Sequence, residues 1–486
     1  MSPDIKTIVE QVKRQRDLPA VSAILPDGTI LEMVCRSQDN WSAFAVWQGE
    51  EWRIESGFSA NPTERLVPYS PQNNLLKNGV VLLPSEPQEY TSEQELLGEI
   101  RAFIHRYVDV SPLFEQLASY YVLFTWVYDS FNELPYLRLR GDFGSGKTRF
   151  LLTVGALCYK PIFASGASTI SPLFRILDAF RGTLIIDEGD FRFSDERAEV
   201  VKILNNGNTK GFPVLRSEVL NNREINPRAY AVFGPKLVAT RGFFEDRALE
   251  SRFLTEEMGQ VRLRADIPIN LPSACQDESL HLRNKLLLFR FRNLHNRKII
   301  NDLVDRTIEP RLNQIFVPLL SIIEDARARR DLQDLARRYH REMIADRGMD
   351  MEAQILEIIR DLLASSYASR PSVKEITSWF VDRHGEEYDR KVTAKWIGGI
   401  IRKKLQLKTQ KSHGVFVIPV SEKPKLERLY EKYGIGPDQG GEGETAETDT
   451  ALEPTPAGLA VDTEAGVSDE RVIQSSANRE DLSRSL

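Results

Sequence analysis

Over the first 90 residues, short runs of apolar side chains are broken by turn residues. Asp27-Gly28 separates two such runs, and Gly49-Glu50 separates residues 43–47 from residues 51–54. Apolar runs divided by glycine-containing turns predict β-hairpins, so residues 1–90 read as a β-rich domain. From residue 93 to 132 the period changes: Leu96, Ile100, Phe103 and Ile104 recur at three- and four-residue intervals, which predicts a helical bridge over 91–134. Between residues 135 and 258 short β-type runs alternate with amphipathic helical runs, the pattern of a parallel sheet with crossover helices. A helical segment follows over 259–350, helical throughout from 277 to 345, and a smaller unit of helices and a hairpin occupies 351–435. Residues 436–486 hold few large apolar groups, so burial cannot offset the entropy of ordering and a disordered tail is expected.

The chain has 486 residues, 41% of them hydrophobic and 28% charged, which fits a folded protein of about three domains and excludes collagen-like and wholly disordered chains. No apolar run approaches the roughly 18 residues of a membrane helix, and the first ten residues lack the pattern of a signal peptide. Cys35, Cys158 and Cys275 are far apart and odd in number, which suggests neither a disulfide framework nor a zinc cluster. The six histidines show no metal-binding spacing either. Together these features lead to the expectation of a cytoplasmic protein without membrane partners.

The net charge of −6 hides an asymmetry. Residues 436–486 carry 12 acidic and 3 basic side chains, which leaves 61 basic and 58 acidic groups, or +3, in residues 1–435. Within that body, residues 390–411 hold eight Lys or Arg and no acid, as expected of an anion-binding face.

The most informative motif is Gly141-Asp142-Phe143-Gly144-Ser145-Gly146-Lys147-Thr148, which matches G-x-x-x-x-G-K-[ST] at every fixed position. A strand-like run, residues 136–140, precedes it, and Leu151, Val154 and Cys158 line one face of a helix after it. In such a loop Gly141, Gly144, Ser145 and Gly146 let backbone N–H groups turn onto phosphates, Lys147 reaches the β- and γ-phosphates, and Thr148 ligates Mg2+. ATP with Mg2+ is therefore the expected ligand. The second motif is Thr183-Leu184-Ile185-Ile186-Asp187-Glu188, four residues of buried-strand character ending in two acids. Asp187 is expected to hold the metal through water and Glu188 to polarise the attacking water. The plainer alternatives are a glycine turn before a helix and a strand ending in a solvated acidic turn.

With both motifs in place, the chain resembles the AAA+ ATPases over about residues 135–325, and within them the superfamily 3 helicase-like proteins of phages, plasmids and integrative elements. The resemblance implies a P-loop NTPase α/β sheet over 135–258 with a helical lid over 259–350. It further implies a hexameric ring acting on single-stranded and duplex DNA as a helicase or replication initiator. Gly234-Pro235-Lys236-Leu237-Val238-Ala239-Thr240-Arg241 is similar to the sensor 1 strand, with Thr240 where that family usually has Asn. Asp246-Arg247-Ala248-Leu249-Glu250-Ser251-Arg252 is similar to the segment presenting an arginine finger to a neighbouring subunit, with Arg252 favoured and Arg247 second. The alternative for Arg252 is a surface pair with Glu250 or Glu256. Arg311, opening a helix after Glu309-Pro310, resembles the sensor 2 arginine or is a solvated side chain. Residues 212–233 read as strand, turn and strand. They resemble a pore hairpin whose Arg216, Arg223 and Arg228 would touch the DNA backbone, or an ordinary surface hairpin.

Ser372-x-x-Glu375 is a capping box ahead of Ile376, Trp379 and Phe380, and a second helix is expected over residues 390–405 with Lys391, Lys395 and Arg402 on one face. Residues 407–409 and 415–418, joined across Lys411-Ser412-His413-Gly414, complete an expected hairpin. The arrangement resembles a winged helix, binding DNA or alternatively a protein. Trp41, Trp47 and Trp52 are expected to pack a small β core. Besides the helicase reading, two others stand: an ATP-controlled DNA-bound regulator that does not unwind, and a P-loop kinase.

Overall fold

The computed structural model describes residues 16–165, 170–187, 194–219, 225–259, 263–365, 370–384 and 392–436. Asp27-Gly28 and Gly49-Glu50 turn the chain as the pattern predicts. Strands Ser22–Ile24, Ile30–Arg36, Trp41–Gln48 and Glu51–Glu55 form an antiparallel sheet in chain order. A second sheet sets Arg16–Ala20 parallel to Glu64–Pro68, with Phe58–Asn61 at its edge. Trp47 faces Trp52 across the strands and stacks on Phe291 at 5.6 Å, so its ring joins the β domain to a distant helix.

Two helices follow, Glu93–Tyr107 and Pro112–Val127. Ser92 and Ser111 cap them by accepting from Glu95 N and Phe114 N, and Pro112 pre-sets the first turn of the second. This second helix is more than a bridge: 13 of its 16 residues are buried, and Trp126 donates to Leu157 O at 2.9 Å. An apolar helix without a polar face belongs inside a core.

The α/β part is a five-stranded parallel sheet. From edge to edge it runs Phe253–Glu257, Tyr136–Arg140, Lys236–Thr240, Leu184–Asp187 and Ile162–Ser165. Near-continuous apolar burial of its strands reflects cover on both faces. The edge at Ile162 is closed by an antiparallel bridge from Val81, so the N-terminal part completes this sheet. Between helix Ser194–Asn206 and strand Lys236–Thr240 lies an antiparallel ribbon, Val214–Val219 with Ile225–Tyr230.

Residues 277–345 are not helical throughout. Helices Ala274–Asn293, Pro310–Leu320 and Ala326–Gly348 are separated at residues 294–309 and 321–325. The breaks have local causes: Pro310 cannot continue a helix but can open one, and the Asp325 carboxylate caps the third helix by accepting from Ala328 N. Helix Ala274–Asn293 belongs to the core. Its buried Arg290 binds Glu32 of the β domain at 2.7 Å and Asp129 at 2.7 Å, and the same Glu32 accepts from Tyr159 and pairs with Lys160 at 3.2 Å. Burial alone would raise the Asp129 carboxyl, but Arg290 overrides it and holds it below its ordinary value.

The C-terminal module consists of Met351–Ala364, Val373–His384, Ala394–Lys403 and a hairpin of Gln410–Ser412 with Val415–Val417. Ser372, between the first two helices, bridges to Val417 and gives the hairpin a third strand position. The capping box forms in both directions: Glu375 N donates to Ser372 Oγ at 3.1 Å and Ser372 N to Glu375 Oε2 at 2.8 Å. The hairpin lies further along than expected. Leu407 is buried and its N–H closes the preceding helix onto Ile401 O, so pairing starts only at Gln410. The turn is His413-Gly414 alone, both with positive φ, a geometry that suits a two-residue connection. The basic helix begins at Ala394, capped by Thr393. All these parts pack as one compact unit, residues 1–434, and residues 435–486 form a second, described only at Ile435 and Gly436. Among the described residues no helix is long and apolar enough to cross a membrane.

Candidate nucleotide site

The loop between strand Tyr136–Arg140 and helix Lys147–Gly155 is shaped by close contacts. Gly146 has φ +91°, and a Cβ on Gly141 would sit 2.6 Å from the Met258 carbonyl oxygen. No side chain caps the helix, so its first-turn N–H groups stay available to an anion. Lys147 Nζ donates to the carbonyls of Gly141 and Asp142, each at 2.6 Å, and lies 3.3 Å from Ser145 Oγ. Gly144 completes the turn with φ +71°.

Thr148, the next residue, donates its hydroxyl to Asp187 Oδ2 at 2.7 Å. Two hard oxygen donors at that spacing suit adjacent positions around Mg2+, which prefers oxygen in an octahedral shell. Among the described residues no group of three or more His, Cys, Asp or Glu could hold a metal by itself, so an ion here would take its remaining ligands from phosphate or water. Glu188 lies outside the described residues. The sheet order brings a third element in: strand Lys236–Thr240 runs between the other two, with Thr240 opposite Arg140 and Val238 opposite Ile186. Thr240 is buried at the end of that strand, and its hydroxyl donates to Gly242 O at 3.0 Å.

The arginines lie elsewhere. Tyr136 pairs with Phe253 and Arg140 with Glu257, so Arg252 stands at the end of the edge strand opposite the loop. Its guanidinium donates to Asn208 Oδ1, Asn205 Oδ1 and Ala248 O at 2.9, 2.5 and 2.7 Å. Burial, then the neighbouring Arg311, lowers its pKa. Neither expected acid partner takes it: Glu250 binds Arg138, and Glu256 accepts from Ser111. Arg311 also reaches Ala248 O, at 3.3 Å, and its Nε is buried without a hydrogen-bond partner among the described residues. Arg247 is exposed and binds Asp350 at 2.5 and 2.7 Å, which raises its pKa. Fold and hydrogen bonds therefore gather Arg252 and Arg311 beside one short helix, Arg247–Glu250, away from the chain's own glycine loop.

Of the expected DNA contacts, Arg223 and Lys391 lie outside the described residues. Arg216 and Arg228 face each other on the ribbon, and each turns to an acid: Arg216 to Glu199, Arg228 to Asp178 at 3.7 Å. Lys395, Arg402 and Lys411 are exposed in the C-terminal module.

A cleft of about 2090 Å3 runs along the edge strand from the glycine loop to Arg311 and is lined by Arg138, Arg140, Arg149 and Arg338 among others. Sequence reading passed over Arg138 and Arg140. Their signal is the alternation Tyr-Leu-Arg-Leu-Arg, which sets two cations on one face of the strand, Arg138 buried and Arg140 half-buried.

No protein-family model and no curated protein matches this chain. Among solved structures it is similar to the C-terminal region of NrS-1, with 10% identity and a TM-score of 0.33, covering 80% of this chain and 96% of that one. It is also similar to the SCCmec type IV Cch helicase, with 10% identity and a TM-score of 0.36 over 87% and 83% of the two chains. A third, an MCM homolog from Methanopyrus kandleri, has 11% identity and a TM-score of 0.33 over 69% and 84%.

Proposed function

We propose that this protein is an ATP-hydrolysing DNA motor of the AAA+, superfamily 3-like kind, a helicase or replication initiator of a mobile genetic element that works as a homo-oligomeric, hexameric ring. The observation that carries the reading is the 2.7 Å contact between Thr148 and Asp187 at the mouth of the glycine loop. Bound Mg2+ would supply charge stabilisation to the triphosphate there. Lys147 exchanges its loop carbonyls for phosphate oxygens, the first-turn N–H groups of its helix hold the anion, and Thr148 and Asp187 hold the metal. Glu188 orients the attacking water, and Thr240 takes the sensor 1 role. In the ring Arg252 reaches the neighbour's nucleotide, which its position away from its own loop supports. Arg311, beside it, acts from the same face. DNA is gripped by the ribbon bearing Arg216, Arg223 and Arg228. It is also held by the C-terminal module, whose order of helix, bridge strand, two helices and hairpin supports a winged helix with Lys391, Lys395, Arg402 and Lys411 toward duplex.

A second reading, an ATP-controlled DNA-bound regulator, gains support from Arg247, Arg252, Arg216 and Arg228 all being engaged within their own chain. A strand-displacement assay separates the two. The underlying test compares native protein with Lys147→Ala for ATP hydrolysis, with and without single-stranded and duplex DNA. Hydrolysis confined to the native protein and stimulated by DNA is expected, and equal rates in both proteins would overturn the assignment.

A further inference from the structure

The hairpin of the C-terminal module carries an aromatic ring that the core does not use. Along Val415–Val417 the last residue is buried, whereas Phe416, pointing to the other face of the strand, remains 51% exposed. An isolated exposed phenylalanine is ordinary. This one is flanked by cations on two elements. Lys411 is its direct cross-strand partner, so both side chains stand on one face of the ribbon. Arg402, at the end of the basic helix, sets its guanidinium carbon 5.8 Å from the ring centroid. The Arg402 side chain is steadied in turn by Thr409 Oγ1 at 3.4 Å.

The neighbouring helix is open at one position, Gly399. Lys395 and Arg402 are seven residues apart on Ala394–Lys403, and Gly398 and Gly399 lie between them. A Cβ on Gly399 would meet nothing within 4 Å, and one on Gly398 would press on the Arg402 guanidinium at 3.1 Å. Two glycines inside a ten-residue helix are unfavourable relative to alanine. Gly398 is buried, with Arg402 over it and Val373 beside it, whereas Gly399 leaves an opening between Lys395 and Arg402 that tolerates close approach of a backbone. That opening suits phosphate contact better than base-edge reading, which needs side chains long enough to enter a groove.

We propose that Phe416 is a stacking site for an unpaired nucleotide, with Arg402 and Lys411 holding its flanking phosphates, so that this module binds the junction between duplex and single strand. This rests on the module being a nucleic-acid binder, as argued above. An exposed ring stacks on any base through its π-face, and a ring among cations in a segment of eight Lys or Arg without an acid favours nucleic acid over an apolar protein partner. The hairpin fixes the ring in place, because its two-residue turn leaves little freedom of register.

The test uses the full chain and three labelled DNAs of equal length: blunt duplex, single strand, and a fork with 2-aminopurine at its first unpaired position. Affinity is read by fluorescence anisotropy and stacking by quenching of 2-aminopurine. The native protein is expected to prefer the fork and to quench the probe. Phe416→Ala should lose about tenfold on the fork, without quenching, and keep its affinity for blunt duplex. Phe416→Trp should retain both, and circular dichroism of each variant verifies the fold. A Phe416→Ala protein that binds and quenches the fork as the native does overturns the proposal. So does a native protein that binds duplex but neither prefers the fork nor quenches. A native protein that binds none of the DNAs overturns the nucleic-acid reading along with it.

Discussion

Arg138, in the middle of the strand that leads into the glycine loop, holds Glu250 with both terminal guanidinium nitrogens, one at 2.8 Å, and its side chain is 2% exposed. Phe253 lies under the same guanidinium at 5.0 Å, and Thr255 Oγ1 accepts from its Nε at 3.0 Å. Glu250 ends the short helix that begins at Arg247 and precedes Arg252. One buried ion pair thus fixes the nucleotide-loop strand to the arginine-bearing segment.

Deleting Glu250 leaves that guanidinium buried without its counter-charge. Glu250→Ala should lower stability by about 3–5 kcal/mol, because an uncompensated interior charge costs more than the pair contributes. The double variant Arg138→Met, Glu250→Leu should recover most of it. Denaturant unfolding of all three proteins measures the difference; a Glu250→Ala midpoint equal to the native one would count against the pair as a structural anchor.

Beyond the glycine loop, Thr148 and Asp187 meet at 2.7 Å, where the proposed function puts a metal. Asp187→Asn removes the charge but keeps an oxygen for the Thr148 hydroxyl. It should reduce Mg2+-dependent ATP hydrolysis by about 100-fold while nucleotide still binds. Chelating Mg2+ from the native protein should have the same effect. Phosphate release and nucleotide titration read the two quantities separately, and undiminished hydrolysis in the variant would remove Asp187 from the site.

Arg252 stands away from its own glycine loop, so in the proposed ring it would act on the nucleotide of a neighbouring subunit. Arg252→Ala alone and Lys147→Ala alone should each be inactive. Mixing the two should restore part of the hydrolysis, since some interfaces then pair an intact loop with an intact arginine. A mixture as inactive as its components, under conditions where the native protein forms rings, would show that Arg252 does not act across subunits.

Lys236 opens the strand that ends at Thr240 and is fully buried. Its Nζ donates to Gly234 O at 2.8 Å and Val232 O at 3.0 Å, and burial pushes its pKa from 10.5 down to about 7. Between those two values the unfolded chain binds more protons than the folded one, so this group adds stability as pH rises from 7 toward 10.5. Below about 7 both states hold the proton and the full cost of the buried charge remains. Lys236→Met lacks the group. The melting temperature of the native protein relative to the variant should therefore increase between pH 7 and pH 9.5. A constant difference across that range would mean that the lysine is hydrated in the folded state.

What the sequence could reveal followed from local rules. Glycines at positive φ, serine caps, a proline at a helix start and the period of apolar residues all act within a few residues, and each appears where its pattern indicates. The glycine loop was legible for the same reason: its geometry is set by eight consecutive residues. The hairpin of the C-terminal module was misjudged because Leu407 looks like a strand residue until the core that buries it is known.

The sequence by itself determined the composition of the site: the glycine loop, the strand-end acid and the acid-free basic segment. Only the tertiary structure decided which groups meet. Strand order set Thr240 between the loop and Asp187, and edge pairing carried Arg252 to the far end of the sheet. Packing of four separate segments enclosed Glu32, Asp129, Lys160 and Arg290 in one buried network. Contacts between residues more than a hundred positions apart leave no period in the chain, because they are fixed by the shape of the whole core rather than by the conformational preference of any one stretch.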